Sequence, residues 1–158
     1  MIDLLLATPP PVVRQVQWPT CRVTYSAKGL NYNDSIALRR AVRKVKRVTG
    51  LKLVKRNRGQ IRIRYRYISK RYLGWTSWRN YGWDITRSRI TINRRLKYYG
   101  SIRTRKHLYM HELAHAVGVA GHVSNPNSVM YYSIRGVTKW TSQDRRVLRK
   151  AVPRKCRR

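Results

Sequence analysis

The sequence predicts one α+β domain. Two backbone patterns and one side-chain pattern carry that prediction. Apolar residues recur at helical spacing at Ala37, Ala41, Val45 and Val48. Between Ile61 and Tyr67 they alternate strictly with arginines, as in a strand with one covered face. A second apolar helical stretch carries His111 and His115, four residues apart and therefore on one helix face.

Residues 1–20 read as an extended N-terminal arm, interrupted by Pro9, Pro10, Pro11 and Pro19. Its opening, Met1 to Ala7, has an acidic residue and an apolar run that stops at Thr8, so it fits neither a membrane span nor an export signal. The domain then occupies residues 21–158. Cys21 to Tyr25 is a first strand, and Asn33 or Asp34 caps the helix that Gly50 ends. Leu51 to Val54 is a short strand, and Arg56 to Gly59 is a turn. In the strand that follows, Ile61, Ile63, Tyr65 and Tyr67 face the core, while Arg62, Arg64 and Arg66 form a row on the other side. The stretch Tyr72 to Asp84 reads as a loop or frayed strand with Trp75, Trp78 and Trp83; exposed beside arginine they would suit base stacking or a peptide-binding pocket, but core placement is the commoner outcome for tryptophan in a small domain. Ile85 to Leu96 leads by a strand toward the histidine helix, which starts between Ser101 and Thr104 and ends near Gly118. Thr141 and Asp144 form a capping box for a last helix, which Pro153 stops.

Charge is the dominant feature of the composition. The 37 Lys and Arg against 5 Asp and Glu leave a net charge of +32 in 158 residues. Such a field attracts polyanions and repels its own copies. Arginine supplies most of it, and a guanidinium binds phosphate in two-pronged fashion. Candidate polyanion-binding residues are Arg39, Arg40, Arg43, Lys44 and Arg47 on the first helix and Arg62, Arg64 and Arg66 on the strand. The bland reading is a pair of solvated faces. Cys21 and Cys156 have no partners at metal-ligand spacing, which excludes a cysteine zinc site; they either close one disulfide or remain free thiols.

The chemistry concentrates between His111 and His122. Two imidazoles at this spacing can reach one ion, and Glu112 sits about 100 degrees round the helix, near a metal-held water but off the ligand position. Glu112 is the single glutamate of the chain, and His111, His115 and His122 are three of its four histidines. A catalytic zinc needs three protein ligands and one open position. His122 can be the third if Gly118 and Gly121 turn the chain back, through positive φ or close backbone approach.

This segment resembles the metzincin zinc endopeptidases, within them the matrixin-like group. The clan pattern His-Glu-x-x-His-x-x-Gly-x-x-His, followed by a methionine turn, is matched at His111, Glu112, His115 and Gly118, and by Met130 in Ser128-Val-Met-Tyr-Tyr132. The resemblance implies a zincin-like fold with a mixed twisted sheet, an active-site helix, a methionine turn and a C-terminal helix. It also implies a strand, a helix and two or three more strands before the active-site helix. One departure is that three residues, not two, separate Gly118 from His122; either the turn runs one residue late and His122 binds, or the site is degenerate. The scarcity of acidic residues argues against the structural calcium sites of matrixins.

The activity implied is peptide hydrolysis with one zinc ion on His111, His115 and His122 and with Glu112 as general base. Tyr132, two residues past Met130, matches the tyrosine that some metzincins bring to the metal or the oxyanion. His107, one turn before His111, is read as a surface residue or one placed behind the ligands. The charge favours an acidic peptide or protein substrate, a nucleic-acid partner, and an extracellular or virion-associated setting. The competing reading is a noncatalytic basic structural or nucleic-acid-binding protein, such as a virion component, with a zinc-stabilised metzincin fold.

Overall fold

The computed structural model describes residues 16–69, 72–95 and 100–157. The elements run β1 (Arg22–Ala27), α1 (Tyr32–Thr49), β2 (Lys52–Lys55), β3 (Ile61–Arg66), β4 (Gly74–Tyr81), β5 (Asp84–Asn93), α2 (Ile102–Ala116) and α3 (Ser142–Lys150), with a final 3-10 turn at Arg154–Cys156. The five strands form one mixed sheet in the order β2-β1-β3-β5-β4. The first four positions are parallel, and β4 pairs antiparallel with β5 at the edge. The fold is therefore α+β, and four strands, not two or three, lie between α1 and α2. No helix among the described residues is long and apolar enough to cross a membrane.

Strand parity fixes which face is covered. Val23, Leu53, Ile61, Ile63, Ile90 and Ile92 are buried in one core cluster with Ala37, Ala41 and Val45 of α1 and Leu108, Met110 and Leu113 of α2. The alternate residues Arg62 and Arg66 of β3, and Arg87 and Arg89 of β5, are exposed on the opposite face.

Helix α1 is capped by Asn31, whose side chain accepts the Asp34 N–H at 2.8 Å, and not by Asn33 or Asp34. Asp34 is committed elsewhere: wholly buried, it receives both hydrogen bonds of the Arg105 Nη1 group at 2.8 Å and ties α1 to α2. The expected cap at Thr141 is present with its full capping box. Cys21 and Cys156 are joined in a disulfide that links the start of β1 to the C-terminal turn.

The stretch read as a loop or frayed strand is the edge strand β4. Its tryptophans are not core residues: Trp75 is 55% and Trp83 51% exposed, and Trp78 is half-buried. Trp75 alternates with Thr76, whose side chain faces α2, and Trp83 sits in the turn between β4 and β5, so neither ring reaches the core. Of the arm predicted at residues 1–20, residues 1–15 lie outside the described residues. The remainder packs onto the domain. Gln17 bridges to Asp84, and wholly buried Trp18 donates its indole N–H to Ala116 O at 3.0 Å, at the end of α2.

Candidate metal centre and cleft

Helix α2 begins at Ser101, which accepts the Thr104 N–H, and its middle is buried on almost every side. A helix so enclosed holds its polar side chains in fixed positions. At its end the Gly118 N–H reaches His115 O at 2.9 Å and the Val119 N–H reaches Ala114 O at 3.1 Å. Together these two bonds make a Schellman stop. Gly118 has φ 118°, and a Cβ there would come within 2.7 Å of Val16 O. Gly121 adds a second left-handed turn at φ 72°. The two turns reverse the chain and absorb the additional residue of the interval.

His122 is thereby brought against the helix. Its Nε2 lies 3.2 Å from His111 Nε2, which is also 3.2 Å from His115 Nε2. Three nitrogens bound tetrahedrally at zinc distances are separated by about 3.3 Å. The cluster can therefore hold a divalent ion such as zinc. The second ring nitrogens decide the tautomers: His111 Nδ1 donates to Val129 O and His115 Nδ1 to Val119 O, both at 2.8 Å. Each bond leaves the Nε2 lone pair pointing into the cluster. Burial, then neighbouring His115, pushes His111 down to about 3, so it is a neutral donor at ordinary pH. Burial lowers His115 as well. Exposure rises from buried His111 to exposed His122, which opens the cluster on one side.

That open side is a cleft of about 620 Å³ whose lining includes the three histidines, Glu112, Gly74, Thr76 and Tyr132. Glu112 is 4% exposed, and its Oε2 accepts the Thr76 hydroxyl at 2.5 Å. Burial raises its pKa to about 7 against the opposing pull of that hydrogen bond. Gly74 leaves room for the carboxyl: a Cβ would stand 2.5 Å from Glu112 Oε1. Trp78 donates to His115 O at 2.6 Å, so β4 touches α2 at consecutive turns. Tyr132 is 70% exposed with its ring 4.3 Å from that of Tyr131.

Met130 is wholly buried; its N–H is held at 2.8 Å by Ser128 Oγ, and its carbonyl accepts the N–H of Val123, next to His122, at 2.9 Å. Asp144 of α3 accepts from the Ser128 hydroxyl, from the Val129 N–H at 3.1 Å and from the Thr141 N–H at 2.9 Å. One carboxylate thus closes the capping box and anchors the turn whose Val129 carbonyl orients His111. His107 lies behind the ligands, wholly buried. Its Nε2 donates to the same Val129 O at 3.1 Å, and its Nδ1 accepts the Val137 N–H at 2.9 Å. Gly74 and Thr76 had no signal in the sequence beyond lying in a tryptophan-rich stretch, and Trp78 was legible only as one of its tryptophans. Asp144 was legible as a cap but not as an anchor.

The basic residues fall into separate groups. Arg40, Arg43, Lys44 and Arg47 surround a hollow with Lys106 of α2. Arg39 lies instead beside Tyr25, Tyr32 and Lys55. Arg62, Arg64 and Arg66 lie across the sheet from both helices and pair in register with β5. No protein-family model matches the chain, and no curated protein matches it in sequence.

Proposed function

We propose that the protein is a zinc-dependent endopeptidase of the metzincin kind. The observation that carries the reading is the convergence of three histidine Nε2 atoms, those of His111 and His115 with the tautomer fixed by a backbone carbonyl, in the same cleft as the single glutamate of the chain. His111, His115 and His122 would hold the ion. Zinc bound there supplies Lewis acidity toward water and a peptide carbonyl. Glu112 takes the proton from the attacking water and returns it to the leaving nitrogen. Its raised pKa of about 7 suits both directions of transfer near neutrality. Thr76 holds one carboxyl oxygen and the bare backbone of Gly74 leaves just enough room for the other, so the base is oriented before substrate arrives.

The substrate runs along β4, because this strand is the sheet edge and lines the cleft. An extended peptide can add to such an edge by main-chain hydrogen bonds. The positive field favours acidic peptides over basic ones. The same reading gives the developing oxyanion to Tyr132, which lines the cleft; equal turnover by Tyr132→Phe and wild type would remove it from the mechanism.

The test combines metal analysis with cleavage of a mixed peptide library by wild type, His122→Ala and Glu112→Ala. One zinc per chain is expected in wild type and Glu112→Ala, with cleavage by the latter down by about 10²- to 10⁴-fold. Zinc without Glu112-dependent cleavage would make the site structural. Absence of zinc binding would overturn the whole reading.

A further inference from the structure

Across β3, β5 and β4, the face of the sheet turned away from the helices is dominated by arginines. On β3 the outward positions are Arg62, Arg64 and Arg66; the outward positions of β5 include Arg87 and Arg89, and those of β4 include Arg79. Two of these contacts are direct like-charge pairs in the ladder: Arg62 opposite Arg89 and Arg79 opposite Arg87. Cross-strand pairs of equal charge destabilise a sheet. The described carboxylates do not relieve them, since Asp34, Glu112 and Asp144 are buried and Asp84 sits beyond, at the hairpin end. Arg64 Nε is buried without a hydrogen-bond partner. Burial and then Arg89, Arg66 and Arg62 lower the Arg64 pKa, which reports the same crowding.

An arrangement that costs folding energy and leaves a guanidinium nitrogen unsatisfied calls for an anion. Along a strand, alternate side chains are about 6.7 Å apart. That repeat is close to the spacing of successive phosphates along one nucleic-acid strand. Besides the arginines, these three strands carry Trp75, Ser77, Thr91 and buried Asn93 on this face, with no aliphatic side chain among them to enter a bilayer. The surface is broad and lacks a projecting helix to enter a duplex groove. At its end, beside Arg79 and Arg87, the β4–β5 hairpin exposes Tyr81 (86%) and Trp83 (51%). Aromatic rings beside a cationic track are how unpaired bases are held.

We propose that the outer face of β3, β5 and β4 is a binding platform for single-stranded nucleic acid, with the six guanidinium groups on its phosphates and Tyr81 and Trp83 stacking against bases. The inference is independent of the zinc site, because β4 turns Thr76 and Trp78 toward α2 and Ser77 and Arg79 toward the platform. Nucleic acid on one side of the sheet leaves the cleft on the other side open.

The experiment measures anisotropy of a labelled single-stranded oligonucleotide over a salt series with two triple variants of equal charge. One is Arg62→Gln/Arg64→Gln/Arg89→Gln; the other, on α1, is Arg40→Gln/Arg43→Gln/Arg47→Gln. The sheet variant is expected to bind at least about tenfold more weakly and to lose about 2 from the slope of log affinity against log salt, while the α1 variant changes little. Equal losses in both variants would mean that only net charge matters and would overturn the proposal. So would tighter binding to the matching duplex. Unchanged oligonucleotide binding by the sheet variant, with lost binding to phosphatidylserine vesicles, would assign the face to lipid instead. Should the sheet variant fail to fold, photocrosslinking of a thiouridine oligonucleotide to the wild-type chain decides the matter. Crosslinks at residues 79–89 support the platform, and crosslinks confined to α1 overturn it.

Discussion

Glu112 shows how much a single side chain depends on residues far away in sequence. Its carboxyl is enclosed by Thr76 on one oxygen and by the bare backbone of Gly74 on the other. Replacing Gly74 with alanine would force the carboxyl aside by roughly the thickness of a methyl group. Displacements of about 1 Å in a catalytic group cost on the order of 100-fold in rate. Under the proposed endopeptidase function, Gly74→Ala is therefore expected to lower peptide cleavage by about that factor while zinc content stays at the wild-type level, since the atoms nearest to a Cβ at Gly74 all belong to Glu112. Loss of zinc together with activity would mean that the substitution disrupts α2 more widely. A second residue-scale prediction concerns Arg105 and Asp34. Both are buried, and removing Asp34 takes away the carboxylate that receives both hydrogen bonds of Arg105 Nη1. Asp34→Ala should lose about 3 to 5 kcal/mol in urea unfolding, whereas Asp34→Leu combined with Arg105→Met should recover most of it. A double variant no better than the single would show that the pair is irreplaceable.

The regular elements were legible in the sequence wherever one face is covered and the other is solvated. Helix α1 and strand β3 have that contrast, so their apolar spacing marks them. The edge strand β4 does not: its two sides are both partly exposed, and its tryptophans, glycine and threonine give no alternation. The site inherits the same division. His111, Glu112, His115 and Met130 stand close together in the chain, and the turn at Gly118 and Gly121 announces itself by composition. The partners that orient them do not, because Val129 O and Val119 O are backbone atoms and Thr76 and Asp144 come from other elements. Packing between elements also sets a titration. Tyr65 of β3 meets Tyr109 of α2, their hydroxyls 3.3 Å apart, and burial followed by the nearby Asp34 raises the Tyr65 pKa well above its usual value. A phenol whose pKa is higher folded than unfolded stabilises the fold fully below the unfolded value of about 10 and progressively less as pH rises above it. Wild type should therefore lose its stability advantage over Tyr65→Phe between neutral pH and pH values above about 10. Parallel stability curves for the two proteins across that range would show that Tyr65 ionises as freely folded as unfolded.

At the scale of the whole molecule, a charge of +32 must be held together by a modest core and one covalent tie. The disulfide spans a sequence separation of 135 residues. For a loop of that size the chain-entropy estimate is about 5 kcal/mol, with measured losses usually about 2 to 5 kcal/mol. Cys21→Ser/Cys156→Ser should accordingly unfold at markedly lower denaturant, and the loss should be greatest at low salt, where repulsion between the basic surfaces is strongest. The ion pair described between Arg105 and Asp34 is buried, so added salt screens it little. The exposed arginines of β3 and β5 are screened within a Debye length of about 10 Å at 0.1 M salt. Salt therefore weakens repulsion more than attraction in this protein. Raising sodium chloride from low to near-molar concentration should raise the melting temperature by several degrees, on the order of 1 to 2 kcal/mol at about 2 to 4 °C per kcal/mol. Arg62→Gln/Arg64→Gln/Arg89→Gln should begin at a higher melting temperature in low salt and respond less steeply, because it removes the like-charge pair from the ladder. A melting temperature that falls with salt in both proteins would show that unrecognised favourable ion pairs outweigh the repulsion.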